Sequence, residues 1–150
     1  MRHLAILIII FFTSKASSQD SVLETGLYYV VDDDAKIKRQ INKTKEFYFL
    51  DPNPIVSKEN FIKVKLFKYK HVKRKEYGLR FRLDEIGTQN LAYATKKLIE
   101  TFPSELALII NDTLVSVALV NNQINGGLAE LNMLHYTKEE LLDLKSNLID

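Results

Sequence analysis

The strongest chemical signal in this chain is a run of basic residues between positions 63 and 82. Nine lysines and arginines fall within these twenty residues, against Glu76 as the single acid. Such a concentration suits electrostatic binding of an acidic protein or of anionic lipid headgroups. The alternative is a solvated face whose charges keep a sheet edge from aggregating. The candidate partner-binding residues are Lys63, Lys65, Lys68, Lys70, Lys73, Arg74, Lys75, Arg80 and Arg82.

The residues that most often bind metals give a weak pattern here. The three histidines, His3, His71 and His135, are far apart and lack the spacing of zinc ligands. The acidic run 32–34 follows an apolar segment, but it lacks the alternating oxygen ligands around a glycine that calcium loops use. We therefore expect no metal site, and we interpret the acidic run as a solvated turn.

Catalytic motifs are also weak. Ser116 has no G-x-S-x-G elbow around it, and Gly126–Gly127 has no lysine that would indicate a phosphate loop. The acidic pairs Asp84–Glu85 and Glu139–Glu140 fall at predicted helix starts, where the helix dipole accounts for them. The sequence predicts no catalytic residue, no cofactor and no enzymatic activity.

The N-terminus has the pattern of a secretory signal peptide. A short basic start at residues 1–3 is followed by nine apolar residues at 4–12 and by small residues at 16–18. Nine residues span about 14 Å as a helix, well short of the roughly 30 Å of a bilayer core. We expect a signal peptide at residues 1–18, no transmembrane helix in the mature chain, and export to the periplasm or cell envelope of a bacterium. A buried N-terminal strand is the alternative.

Composition limits how the mature chain is stabilised. It has no cysteine, so neither disulfides nor thiol chemistry contribute. The whole chain carries a formal net charge of +2, which falls to about zero once Arg2 and Lys15 are removed with the signal peptide. Local charge patterning therefore matters more than net charge. Export also argues against nucleic acid as the partner, although aromatic side chains near the basic run could stack on bases.

Strand patterns dominate the first half of the chain. Residues 26–31 and 46–50 are rich in β-formers, and the segments 62–66 and 79–83 alternate apolar with basic residues. In the first alternating segment, Ile62, Val64 and Leu66 form the apolar face. The polar stretch between the two alternating segments predicts the tip of a long hairpin. If these strands pair, the basic residues at 63, 65, 80 and 82 share the face opposite the core.

Helices and tight turns are predicted in the second half. Asp84 is a candidate N-cap for a helix whose apolar stripe runs from Leu91 to Phe102, and Pro103 is expected to end it. Apolar runs at 106–110 and 113–120 meet at Asn111–Asp112, which favours a tight hairpin because asparagine tolerates a left-handed backbone. Thr137, with Glu140 three residues later, forms a capping box for a final helix. These elements predict an α+β fold, a mostly antiparallel sheet with two helices packed on one face.

Several of these segments resemble the head of the first periplasmic region of the SecD and SecDF protein-export membrane subunits. The similar features are the strand–turn–strand of 106–116, the Ile124–Asn125–Gly126–Gly127 turn, the stretch 48–55, and the helix entry 83–87. The resemblance covers roughly residues 26–148. Ser116–Val117–Ala118 departs from it, since the family usually has Ser-Ala-Pro at this point.

The resemblance implies a single domain without the family's membrane helices. We expect residues 19–25 to be a short linker and residues 26–150 to be one domain, with N-terminal strands at 26–57 and a head-like core at 61–148. It implies a non-enzymatic exported module that contacts exported polypeptides or an envelope protein partner, with peripheral membrane or translocon contact. A binder of anionic surfaces that uses the basic 63–82 hairpin is one alternative, and a small enzyme is another.

Overall fold

A computed structural model describes residues 21–34, 36–69 and 76–149. The predicted signal peptide and the hairpin tip at 70–75 lie outside these residues. The strands are β1 (Gly26–Val31), β2 (Ile37–Gln40), β3 (Phe47–Leu50), β4 (Val56–Ser57), β5 (Phe61–Lys68), β6 (Tyr77–Leu83), β7 (Glu105–Ile110), β8 (Thr113–Leu119) and β9 (Leu128–Asn132), and the helices are α1 (Glu85–Leu98) and α2 (Lys138–Leu148).

The strands form two sheets. The larger has the order β2-β3-β1-β7-β8 with β4 beside β1, and the smaller has the order β5-β6-β9. Every strand pairing is antiparallel, and a parallel bridge between Ile41 and Leu114 connects the end of β2 to β8. The predicted α+β class, mostly antiparallel with two helices, is confirmed. The division into two sheets and the strand β2 were not predicted.

Strand β7 is buried on both faces, which explains its uninterrupted apolar sequence. Leu106, Leu108 and Ile110 face the main core, where they meet residues from both sheets and both helices. Ala107 and Ile109 face a second, smaller core under β2 and β3. Since successive strand residues point to opposite faces, a strand between two cores must be apolar at every position. This strand therefore holds the two halves of the domain together.

The first residues of both helices agree with the prediction from the sequence, but the last residue of α1 does not. Asp84 caps α1 by accepting a hydrogen bond from the Gly87 N–H at 2.7 Å, and Thr137 and Glu140 form the predicted capping box of α2. Helix α1 ends at Leu98, four residues before the predicted end. Phe102 is 87% exposed, so its place in the apolar stripe was wrong.

The β5–β6 hairpin forms with a bulge at its start. The register shifts between Phe61 and Lys63, so Phe61 is buried at 4% exposure while Ile62 is 54% exposed. The prediction that Ile62 faces the core was wrong, because a bulge moves the following side chains to the other face. Beyond the bulge the register is regular and pairs Lys63 with Arg82 and Lys65 with Arg80.

The β7–β8 turn fastens the N-terminal segment to the domain. Asn111 and Asp112 both have positive φ, 47° and 62°, as the predicted tight turn requires. Asp112 Oδ1 accepts hydrogen bonds from the Leu23 N–H at 2.8 Å and from Arg39 Nη2 at 2.9 Å. Leu23 is buried, so part of the segment expected to be a linker packs on the domain.

Replacing Asp112 with Asn should remove the charge while keeping a residue that tolerates positive φ. Burial opposes ionisation, but the bonds from Leu23 and Arg39 outweigh it and hold the pKa of Asp112 below its ordinary value. A lowered folded-state pKa stabilises the fold above the ordinary aspartate pKa, and that stabilisation is lost as pH falls through the folded value. We expect a loss of about 1–2 kcal/mol at neutral pH, modest because the side chain is partly exposed.

Urea unfolding of the wild type and Asp112→Asn across the acid range checks this expectation. The two stabilities should converge as pH falls below the ordinary aspartate pKa. Asp143→Asn, an exposed position on α2, is the control and should track the wild type. A stability difference that persists unchanged into acid would show that the charge of Asp112 is not the cause.

Candidate binding surfaces

The outer face of the smaller sheet brings four of the predicted basic residues together. The β5–β6 register places Lys63 and Lys65 directly opposite Arg82 and Arg80, and Leu128 on β9 lies opposite Arg82. These five side chains line a shallow depression of about 230 Å³. We call this surface the basic face.

One member of the basic face is already neutralised. Arg80 forms an ion pair with Glu130 on β9, and its guanidinium carbon lies 5.3 Å from the centre of the Phe67 ring. Among the described residues, no ion pair involves Lys63, Lys65 or Arg82. The net positive charge of the face therefore comes from these three side chains.

Of the other predicted basic residues, Lys68 alone is among those that the structure describes, and it does not join this face. Lys68 is exposed, but strand alternation places it on the opposite side from Phe67, beside Tyr77. Lys70, Lys73, Arg74 and Lys75 lie outside the described residues.

A second surface, not predicted from the sequence, lies between the two sheets. Within the described residues, β8 pairs with β7 and at Leu114 with Ile41, while β9 pairs with β6 alone. The edges of β8 and β9 that lie along a common groove are therefore not paired with another strand. We call this groove the seam.

The upper part of the seam is an apolar groove of about 250 Å³. Its floor belongs to the main core, and Leu119 at its rim is 64% exposed. The groove is lined by Leu27, Phe81, Leu91, Leu106, Ala118, Leu119, Val120, Asn121, Asn122, Ile124, Ala129, Glu130 and Leu131. An open groove that reaches the core leaves apolar surface available to a ligand.

The lower part of the seam is smaller and more polar. It is a cavity of about 130 Å³ between residues 115–117 of β8 and residues 132–136, which start at the last residue of β9. Burial raises the pKa of the Tyr136 hydroxyl above its ordinary value, so this hydroxyl stays protonated at neutral pH. Ser116 and His135 both line the cavity, but no hydrogen bond joins their side chains. This geometry lacks the nucleophile–base contact of a catalytic pair.

The described residues also show no arrangement that indicates a metal site or a membrane span. They contain no group of three or more histidine or acidic side chains placed to hold a metal ion. Neither α1 nor α2 has the length and apolar character that a membrane crossing requires.

Comparison with known proteins shows which solved structures have a similar fold. No protein-family model matches the chain, and no curated protein matches its sequence. Two solved structures of SecDF are similar in fold. One is SecDF in a super-membrane-facing form, with a TM-score of 0.56 at 16% identity over 67% of this chain and 12% of that one.

The other is described as a membrane component, SecDF, that enhances protein export. It has a TM-score of 0.61 at 12% identity over 83% of this chain. The chain spans 62% of that structure's length, so each likeness is to a part of SecDF. The resemblance predicted from the sequence is confirmed at the level of fold.

Proposed function

We propose that this chain is a non-enzymatic binding module of the bacterial cell envelope that holds an extended polypeptide segment in the seam. The observation that carries the proposal is the pair of strand edges, on β8 beyond its Leu114 bridge and on β9, that no strand of the described residues pairs along an apolar groove. An unpaired edge offers backbone hydrogen bonds to an added strand, and the groove offers a site for alternate side chains. Neither interaction requires a particular peptide sequence.

The volume and lining of the groove suit the side chains of a peptide. At about 250 Å³ it lies near the lower end of the roughly 300–1,000 Å³ typical of small-molecule sites. It is partly open and mostly apolar, and Asn121, Asn122 and Glu130 are the polar residues of its lining. A few apolar side chains of an extended segment fit this shape, while the rest of the segment stays in solvent.

The likeness to SecDF supports the proposal that the module binds polypeptides during protein export. SecDF is described as a membrane component that enhances protein export, and a module of similar fold would meet polypeptides before they fold. The basic, apolar and small residues at positions 1–18 are consistent with an exported chain. The proposed partner is therefore an exported polypeptide in an extended state, and a defined envelope protein is the alternative partner.

Photocrosslinking with a defined peptide tests the proposal. A photoreactive residue at Leu119, on the rim of the seam, is compared with one at Leu142, an exposed leucine on α2. The probe is a capped peptide of about ten residues that alternates valine and threonine, which favours an extended strand. We expect capture from position 119 and little from position 142.

The crosslinked positions carry further information. A peptide bound as a strand presents every second residue to the same side, so the crosslinks should fall on alternate positions of the peptide. Equal capture from positions 119 and 142 would contradict the proposal. So would crosslinks spread evenly along the peptide, because these indicate nonspecific contact with the exposed photoreactive residue.

A further inference from the structure

We infer that the basic face docks on an anionic lipid bilayer, with Lys63, Lys65 and Arg82 as the binding charges and Leu128 as the apolar contact. This inference goes beyond the proposed function and does not depend on it, since the seam and the basic face use different side chains for contact. The partner chemistry is a phospholipid surface with negatively charged headgroups.

The positive charges of the basic face do not stabilise the folded domain. The three cations have no ion-pair partner among the described residues, whereas Arg80 beside them is neutralised by Glu130. Lys63 and Lys65 lie directly opposite Arg82 and Arg80 across the strand pair. Like charges placed opposite one another destabilise a sheet, so this arrangement does not contribute to the stability of the domain.

The shape of the face favours a bilayer over an acidic protein. Its cations project from a sheet surface at strand spacing, about 5 Å between strands and about 7 Å along each strand, and they surround a shallow depression instead of converging on one point. A protein partner would need carboxylates fixed in the matching positions. Lipid headgroups move freely in the membrane plane and can match any spacing.

Exposed apolar side chains beside the cations point to the same partner. Leu128 lines the depression and is 51% exposed, and Ile62 at the β5 bulge is 54% exposed. Peripheral proteins bind bilayers by combining basic residues, which contact headgroups, with apolar residues that enter the boundary with the acyl chains.

Vesicle flotation tests the inference with the full chain. The vesicles contain about one-third phosphatidylglycerol in phosphatidylcholine. Vesicles of phosphatidylcholine alone measure the binding that does not depend on lipid charge, including any by the apolar N-terminal residues. Each basic residue near an anionic surface contributes about a fivefold gain in affinity. The triple variant K63Q/K65Q/R82Q should therefore bind anionic vesicles on the order of 100-fold more weakly than the wild type, with no change on neutral vesicles.

The matched control is K45Q/K96Q/K138Q, which removes the same net charge from exposed lysines elsewhere. It should bind within about twofold of the wild type, and the wild-type affinity should fall steeply between roughly 0.05 M and 0.5 M salt because surface charges are screened. Equal losses in the two triple variants would overturn the inference, since net charge alone would then explain binding. Wild-type binding to polyglutamate without binding to anionic vesicles would overturn it in favour of an acidic protein.

The same variants separate this inference from the proposed function. K63Q/K65Q/R82Q leaves the seam unchanged and should still crosslink the alternating peptide from position 119. Loss of vesicle binding with retained peptide capture supports the bilayer contact alone. A basic-face variant that binds vesicles like the wild type overturns the bilayer contact whatever the peptide does.

Discussion

Filling the seam at Ala118 is expected to lower the affinity for an extended apolar peptide by at least about tenfold. Ala118 is at the end of β8, lines the upper groove and is packed partly against the main core. A phenylalanine at this position would occupy the volume that the peptide side chains need. A tenfold loss corresponds to about 1.4 kcal/mol, which is less than the cost of excluding one buried aliphatic side chain from the groove.

Two control variants separate a blocked seam from a damaged fold. Ala118→Ser adds a single atom to the groove and should keep the affinity within a few-fold of the wild type. Ala92→Phe makes the same substitution on α1, at a position that does not line the groove. Peptide affinity is measured by fluorescence anisotropy, and melting temperature is measured in parallel. A folded Ala118→Phe variant that binds like the wild type would rule out the seam as the site.

Much of the fold is local enough to be predicted from the sequence. The alternation of basic and apolar residues in 63–66 and 79–83 predicts which side chains of β5 and β6 share a face, because a strand exposed on one face has a period of two. The Asn111–Asp112 turn and the Thr137 capping box each depend on residues a few positions apart. Such features need no information about distant parts of the chain.

Strand β2 shows why other parts could not be predicted. Its sequence, Ile37–Gln40, has one apolar residue and no alternation. It forms a strand because β3 pairs with it and because Lys38 Nζ lies 4.5 Å from the centre of the Phe47 ring. Tertiary contacts decide β-structure more than intrinsic preference does. The segment therefore has no signal that a reading of the sequence could use.

The two candidate surfaces also differ in how far they could be predicted from the sequence. The basic face could be predicted because its residues are close together in the chain, although the neutralisation of Arg80 by Glu130, fifty positions away, could not. The seam is formed by one strand from each sheet, so it depends on how the sheets are placed. Leu119 was its sequence signal, as an aliphatic residue at the end of a strand that the fold leaves exposed.

Replacing Gly127 with alanine is expected to destabilise the domain by about 2–3 kcal/mol, whereas Gly126→Ala should be nearly neutral. Gly127 has φ of 61°, and a Cβ there would lie 2.1 Å from Thr88 Oγ1. A left-handed backbone costs an alanine about 1–2 kcal/mol, and the displaced Thr88 hydroxyl would lose its 2.6 Å hydrogen bond to the Asp84 carbonyl. A Cβ at Gly126 would meet no atom within 4 Å.

The substitution of Gly127 is expected to affect the neighbouring strands as well as the turn itself. Its carbonyl accepts a hydrogen bond from the Leu83 N–H at 2.9 Å, so the turn joins the end of β6 and the start of α1 to the strand β9 that borders the seam. Thermal unfolding should show Gly127→Ala melting about 5–12 °C below the wild type. Adding Thr88→Ala removes the clash but also the Thr88 hydrogen bond, so it should recover only the steric part of the loss and leave the backbone cost and the cost of the lost hydrogen bond. If the two glycine variants melt at the same temperature, the close contact with Thr88 does not constrain the turn.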